Sequence, residues 1–274
     1  MIAASFERSS NPISFLKKRV IRLYPEFWVM ILVNLSLIRL VGFKYQIFST
    51  EFLKWFSLEL TGICTTPSFL ESYSVGSFNG ALWTIMVEVQ LYIVTIFLYP
   101  IAKKLKLWKW LVVVFMFFMA ETCRIQFPNN RLVLILDRTF ITHATPFLMG
   151  MTIYIFREQC FETINKISVQ LTIIYVLFCA VCPNFAIRKT VALFIVPICI
   201  IGLAYKIGSH RFSFDISYSI YLYHMVVMNI WIYMGVPAGI KEFIVLSVCI
   251  AGISMLSGYL FSKVSHILKR SRLC

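Results

Sequence analysis

The chain has 274 residues, of which 59% are hydrophobic and 14% charged, and it carries a formal net charge of +14. Its apolar residues fall in runs long enough to cross a bilayer, which excludes an ordinary water-soluble domain and predicts an all-α, polytopic membrane helical bundle. No aromatic-interleaved basic module of the kind that reads nucleic acid is present, so the charge points to topology and to anionic membrane lipid, with no nucleic-acid partner expected.

In chain order, eight spans are expected, centred on Phe27 to Phe43, Ala81 to Ala102, Leu107 to Glu121, Thr139 to Phe156, Ser168 to Cys182, Thr190 to Ile207, Ile216 to Met234 and Phe243 to Phe261. As a helix rising ~1.5 Å per residue, Ala81 to Ala102 is about 33 Å long and crosses the hydrocarbon, whereas Ser168 to Cys182 is short and must extend or thin its surroundings. The longest loop, Lys44 to Gly80, contains an amphipathic stretch, Glu51 to Ile63, suited to lying on the outer membrane surface or dipping into it. No repeat, low-complexity tract or Gly/Ser-rich linker interrupts the chain. One domain is therefore expected, with a basic segment over 1–26, the bundle over 27–263 and a basic tail over 264–274.

Orientation follows from lysine and arginine placement. Arg8 to Arg22, Lys103 to Lys109, Arg157 and Lys166, Lys206 and Arg211, and Lys263 to Arg272 share one side. Lys44, Lys54, Arg124, Arg131, Arg138, Arg188, Lys189 and Lys241 lie opposite, and Arg39 is left within a span. Both termini are expected to face the cytoplasm. The eight cysteines are scattered, and only Cys179 and Cys182 form a C-x-x-C. One such pair without a second reads as small apolar packing, and no metal site is expected.

Three motifs carry chemistry. In the run Phe15 to Pro25, Arg19 and Arg22 stand three apart and share a face if helical, so two planar guanidinium forks could grip one phosphate. The same cluster is also what the positive-inside rule places at a helix entrance. The second motif surrounds Glu88, where a carboxylate at membrane depth costs roughly 3 kcal/mol even on forgiving scales. Thr84, Glu88 and Tyr92 recur every four residues on one face, which suits an active site or a structural ion pair with a lysine or arginine on another helix. The third is Asp215 to His224. Ser217, Tyr221 and His224 fall at i, i+4 and i+7, a hydroxyl, phenol and imidazole stripe expected to point into the bundle and either bind an acceptor, pass a proton or simply pack. His143 in the fourth span invites the same two readings, and His210 and His266 near the interfaces carry less information.

Taken in order, F-L-K-K-R-V-I-R-L-Y-P at 15–25, N-G-A-L-W-T-I-M-V-E-V-Q-L-Y at 79–92, P-F-L-M-G-M at 146–151 and I-S-Y-S-I-Y-L-Y-H at 216–224 resemble the membrane acyltransferase-3 family, which includes O-acetyltransferases of O-antigens, exopolysaccharides and peptidoglycan. The resemblance implies a bundle of about ten helices in the cell (inner) membrane. It implies transfer of an acyl group, acetyl being the expected one, from acyl-CoA to a hydroxyl of a cell-surface or exported carbohydrate, with acyl-CoA as substrate and no permanently bound cofactor. It further implies that Arg19 and Arg22 match the paired arginines near the CoA site and that Glu88 matches the glutamate of the W-x-x-x-x-E segment. Glu88, Tyr221 and His224 are the candidate catalytic residues.

The family pattern normally opens with two more helices, the first bearing an arginine and a histidine thought essential for transfer, whereas this chain starts Met1-Ile2-Ala3-Ala4-Ser5-Phe6-Glu7-Arg8. None of its four histidines occupies that position. An N-terminally incomplete enzyme with little or no activity of its own is the resulting expectation. The rival from another class is a transporter or flippase for a lipid-linked or small acidic substrate, since intramembrane ionisable groups also mark translocation routes. A degenerate chain that does nothing is the third reading.

Overall fold

The computed structural model describes residues 2–9, 11–137, 139–207 and 216–270, with side chains described as far as Lys263 and not at 132, 134 and 135. Arg138, His210, Arg211, Asp215 and Arg272 lie outside the described residues, as do the side chains of His266, Lys269 and Arg270. Among the described residues the chain forms α-helices joined by turns and short 3₁₀ segments. They are α1 (Ile2–Glu7), α2 (Pro12–Leu40), α3 (Thr50–Thr61), α4 (Trp83–Lys104), α5 (Leu107–Gln126), α6 (Arg131–Leu136), α7 (Thr145–Ile155), α8 (Arg157–Val181), α9 (Phe185–Ile207), α10 (Ser217–Tyr233) and α11 (Ile240–Arg270).

Five of these, α2, α4, α8, α9 and α11 as far as Lys263, are long and apolar enough to cross a membrane. Their outward faces carry the signature of lipid as solvent. Only 11% of the apolar window of α8 is buried, and Ile173, Ile174, Val176 and Leu177 stand exposed along it. A water-soluble protein does not present apolar area on that scale.

Three expectations change. The basic segment from Pro12 onward and the first span are one helix, because α2 runs unbroken from Pro12 to Leu40, so no helix end falls at 26/27. The expected fourth span, Thr139 to Phe156, is broken. A 3₁₀ turn over Phe140–Thr142 is followed by α7, whose 11 residues reach about 16 Å at ~1.5 Å each, too short to cross alone. The break has a local cause: the Gln90 side-chain oxygen accepts the Phe140 N–H at 2.8 Å, and a Glu121 carboxylate oxygen accepts the Thr145 N–H at 3.1 Å, so polar side chains rather than helix bonds satisfy the backbone on either side. Conversely, the short fifth span extends, since α8 has 25 residues.

The chain divides into two compact units, Met1–Leu16 with Val87–Arg211, and Lys17–Met86 with Phe212–Cys274. In the first, Val87, Leu91, Tyr99, Trp110, Val114 and Leu148 form an apolar core. The indole of Trp110 has its one polar atom satisfied by the Thr152 hydroxyl at 2.8 Å. α8 packs along α9, and Gly202 makes their close approach feasible, since a Cβ there would collide with the Ser168 side chain. α1 is held by Glu7, whose two oxygens take Lys103 at 2.7 Å and the Tyr154 hydroxyl at 2.6 Å. The bonds from Lys103, Tyr154 and Tyr99 pull the Glu7 carboxyl down to about 2.

In the second unit, Phe27, Met30, Ile31 and Ile38 of α2 are buried together with Leu70, Tyr73, Phe78 and Leu82 of the long connection. The amphipathic stretch folds as α3, begun by a Ser49 hydroxyl that accepts the Phe52 N–H and ended by Gly62 at φ +90°, a left-handed residue that costs glycine little. Three asparagines then fasten the connection before α4. Asn34 donates to the Phe78 carbonyl at 3.1 Å, Asn229 to the Ser77 carbonyl at 2.8 Å, and Asn79 to the Leu222 carbonyl at 3.0 Å. Buried amides need such partners, and using them here sets where α4 starts relative to α2 and α10.

Candidate active site

The second unit gathers most of the polar side chains singled out above. On α2, Arg19 and Arg22 stand three residues apart, yet Arg19 is buried at 8% exposure and Arg22 is exposed. The pair therefore combines a fixed guanidinium with a reachable one. One turn further along the same face lies Glu26, at i+7 from Arg19, which the sequence reading passed over. It is 6% exposed. Its Oε1 accepts the Ser219 hydroxyl of α10 at 2.5 Å and the Ser257 hydroxyl of α11 at 2.6 Å. The Arg19, Arg22, Glu26 spacing of i, i+3, i+7 was the available signal. It was missed because Pro25 and the expected span boundary drew attention away from a helix that runs straight through. Pro25 has no N–H to give, and the neighbouring Leu23 carbonyl takes a bond from Tyr218 at 3.0 Å.

On α10 the expected stripe is not the most buried face. Ser217 is exposed and Tyr221 and His224 are half-buried, while the buried face carries Ser219, Leu222, Tyr223 and Val226. The i, i+3, i+4, i+7 face that packs is offset by two residues from the stripe expected, because serine and tyrosine satisfy their hydroxyls inside the unit and can be buried. Tyr221 is fastened to the beginning of α4: its hydroxyl donates to the Ala81 carbonyl and lies 2.5 Å from the Thr84 hydroxyl. His224 Nδ1 sits 3.0 Å from the Ile220 carbonyl. A carbonyl only accepts, so this bond places a proton on Nδ1 and fixes the ring through that nitrogen.

In the first unit, Glu88 is half-buried on α4 and accepts the hydroxyl of Tyr92, one turn along the same helix. Within its own unit no lysine or arginine is seen paired with Glu88 among the described residues. Gln90, two residues on, is occupied with the Phe140 N–H. His143 packs, with Nε2 2.6 Å from the Asp137 carbonyl and Arg124 3.3 Å from the Asp137 carboxylate. Among the described residues no group of histidine, cysteine and carboxylate side chains is arranged to hold a metal ion.

Arginines on α2 and an imidazole on α10 belong to the second unit and a carboxylate on α4 to the first, side chains of the kinds that acyl transfer uses. No curated protein and no solved structure matches the chain. A family model described as an acyltransferase domain matches residues 2–263, nearly the whole length. The chain belongs to the acyltransferase-3 family and is a membrane acyltransferase.

Proposed function

We propose that this protein moves an acyl group, acetyl in the simplest case, from cytoplasmic acyl-CoA to a hydroxyl of a cell-surface or exported carbohydrate, working in the cell (inner) membrane with both termini in the cytoplasm. The observation that carries the reading is His224, whose ring is held through Nδ1 by the Ile220 carbonyl at 3.0 Å. In this scheme Nε2 takes the proton of the acceptor hydroxyl as its oxygen attacks the thioester carbonyl. The C–S bond breaks, and the departing CoA thiolate takes up a proton. Arg22, exposed, meets the donor phosphates, and buried Arg19 supplies fixed positive charge on the same face. Glu88, in the first unit, is the further candidate carboxylate and keeps one oxygen beyond the one that Tyr92 takes. Tyr221 acts as a positioning residue, keeping α10 in register with the start of α4.

The test is transfer of labelled acetyl from acetyl-CoA by membranes containing the full chain to exported carbohydrate, compared between wild type, His224→Gln and His143→Gln. The reading expects loss in the first variant and retention in the second. Retained transfer in His224→Gln overturns the assignment of the base. Substrate flux that survives Arg22→Ala and Glu88→Gln and consumes no thioester overturns the acyltransfer reading in favour of transport.

A further inference from the structure

The first unit contains a cavity of about 450 Å³ where α1, the beginning of α2 and the end of α4 come together. Its walls carry three separate chemistries. Phe6 and Tyr99 form an aromatic wall, their rings meeting edge-to-face at 5.4 Å. Glu7 supplies an ionised carboxylate whose orientation is fixed by Lys103 and Tyr154. Asn11 and Lys104 complete the lining. The Asn11 side-chain oxygen accepts the Ser14 N–H at 2.7 Å, so what its side chain has left to offer is the NH2 donor. Lys104 is exposed and makes no ion pair among the described residues. Lys103, beside it, spends its charge on Glu7.

An aromatic surface, a carboxylate acceptor and an available cation within one cavity match the three parts of a nucleoside phosphate: a flat base, ribose hydroxyls that donate, and a phosphate monoester. A bare inorganic anion would use only Lys104 and leave the aromatic wall and Glu7 without a partner. A lipid headgroup phosphate would satisfy Lys104 but offer nothing flat to Phe6. We propose that this cavity binds the nucleotide end of the acyl donor, with Lys104 on its phosphate monoester and Glu7 on its ribose. The proposal rests on the reading of acyl-CoA as donor and adds a subsite distinct from the arginines of α2.

Full-length protein in phosphatidylcholine nanodiscs is titrated with CoA, with dephospho-CoA, which lacks the 3′-phosphate, and with adenosine 3′,5′-diphosphate. Lys104→Glu is expected to weaken CoA and the diphosphate about tenfold, the scale of one charge-assisted contact. Lys104→Arg restores binding, and dephospho-CoA is indifferent to either change. Equal losses for CoA and dephospho-CoA, or no loss, overturn the subsite while leaving acyl-CoA as donor. No CoA binding to the wild type overturns both the subsite and the donor. Displacement of the diphosphate from nanodiscs enriched in phosphatidylglycerol overturns the nucleotide assignment and gives the cavity to lipid.

Discussion

Two carboxylates in apolar surroundings, Glu88 in the first unit and Glu26 in the second, are solved differently by the fold. Glu88 draws its hydrogen bond from Tyr92 on its own helix and stays half-buried. Glu26 is nearly sealed and is served by hydroxyls from two other helices. A carboxylate satisfied locally leaves its helix free to meet a ligand, whereas one satisfied from two other helices ties all three together. Costly polar residues in a membrane protein thus divide into those kept open for chemistry and those closed for assembly, and burial together with partner origin tells them apart.

That contrast can be broken by mutation. The largest expected effect is catalytic: Glu88→Gln and His224→Gln each lower the rate of acetyl transfer about 100-fold, the scale of lost general acid–base or orienting help, without moving the thermal unfolding midpoint in detergent. A shifted midpoint in Glu88→Gln would place that residue with Glu26 and erase the distinction. Next comes Glu26→Ala, expected to lower stability by about 2 kcal/mol or more, since each buried serine hydroxyl left without its acceptor costs ~1–3 kcal/mol. Glu26→Ala with Ser219→Ala and Ser257→Ala should recover part of the loss, and a full-strength loss in the triple variant argues against this network.

A smaller change is expected at the cytoplasmic arginines. Arg22→Ala raises the KM for acetyl-CoA about tenfold with little change in kcat, as removal of one charge-assisted contact made equally in ground and transition states requires. The smallest effect concerns Glu59 of α3, a third buried carboxylate and one outside the membrane spans. Burial pushes its pKa up to about 7, opposed by bonds from the Thr65 N–H and Cys64. Because the folded value lies above the ordinary carboxyl value of 4.5, the folded state holds the extra proton between these limits. Its contribution to stability is full below about 4.5 and lost as pH rises through about 7. The unfolding midpoint should fall gently over that window in wild type and lose this component in Glu59→Gln, as followed by thermal melts across the range.

The side chains proposed for the site were conspicuous in the sequence. Arg19, Arg22, Glu88, Tyr221 and His224 all stood out by type and spacing, because a polar residue in an apolar run is conspicuous without knowledge of its neighbours. Orientation was less legible. Ser217 lies exposed while Ser219 is buried, two residues away on the same helix. Only the partners on other helices decide which hydroxyl can be satisfied in the interior. Glu26 was obscured for a related reason: its donors lie 193 and 231 residues away along the chain.

By itself, then, the sequence determined the solvent, most of the helices, the family and the residues too costly to be incidental. These follow from runs of apolar side chains and from repeats within one or two helical turns, which are properties of neighbours along the chain. Only the tertiary structure decided that α7 is too short to cross, that α10 buries the face with Ser219 and Tyr223, and that Glu26 joins α2 to α10 and α11. Each of these depends on which distant group reaches a buried donor or acceptor first, and that competition is settled by packing.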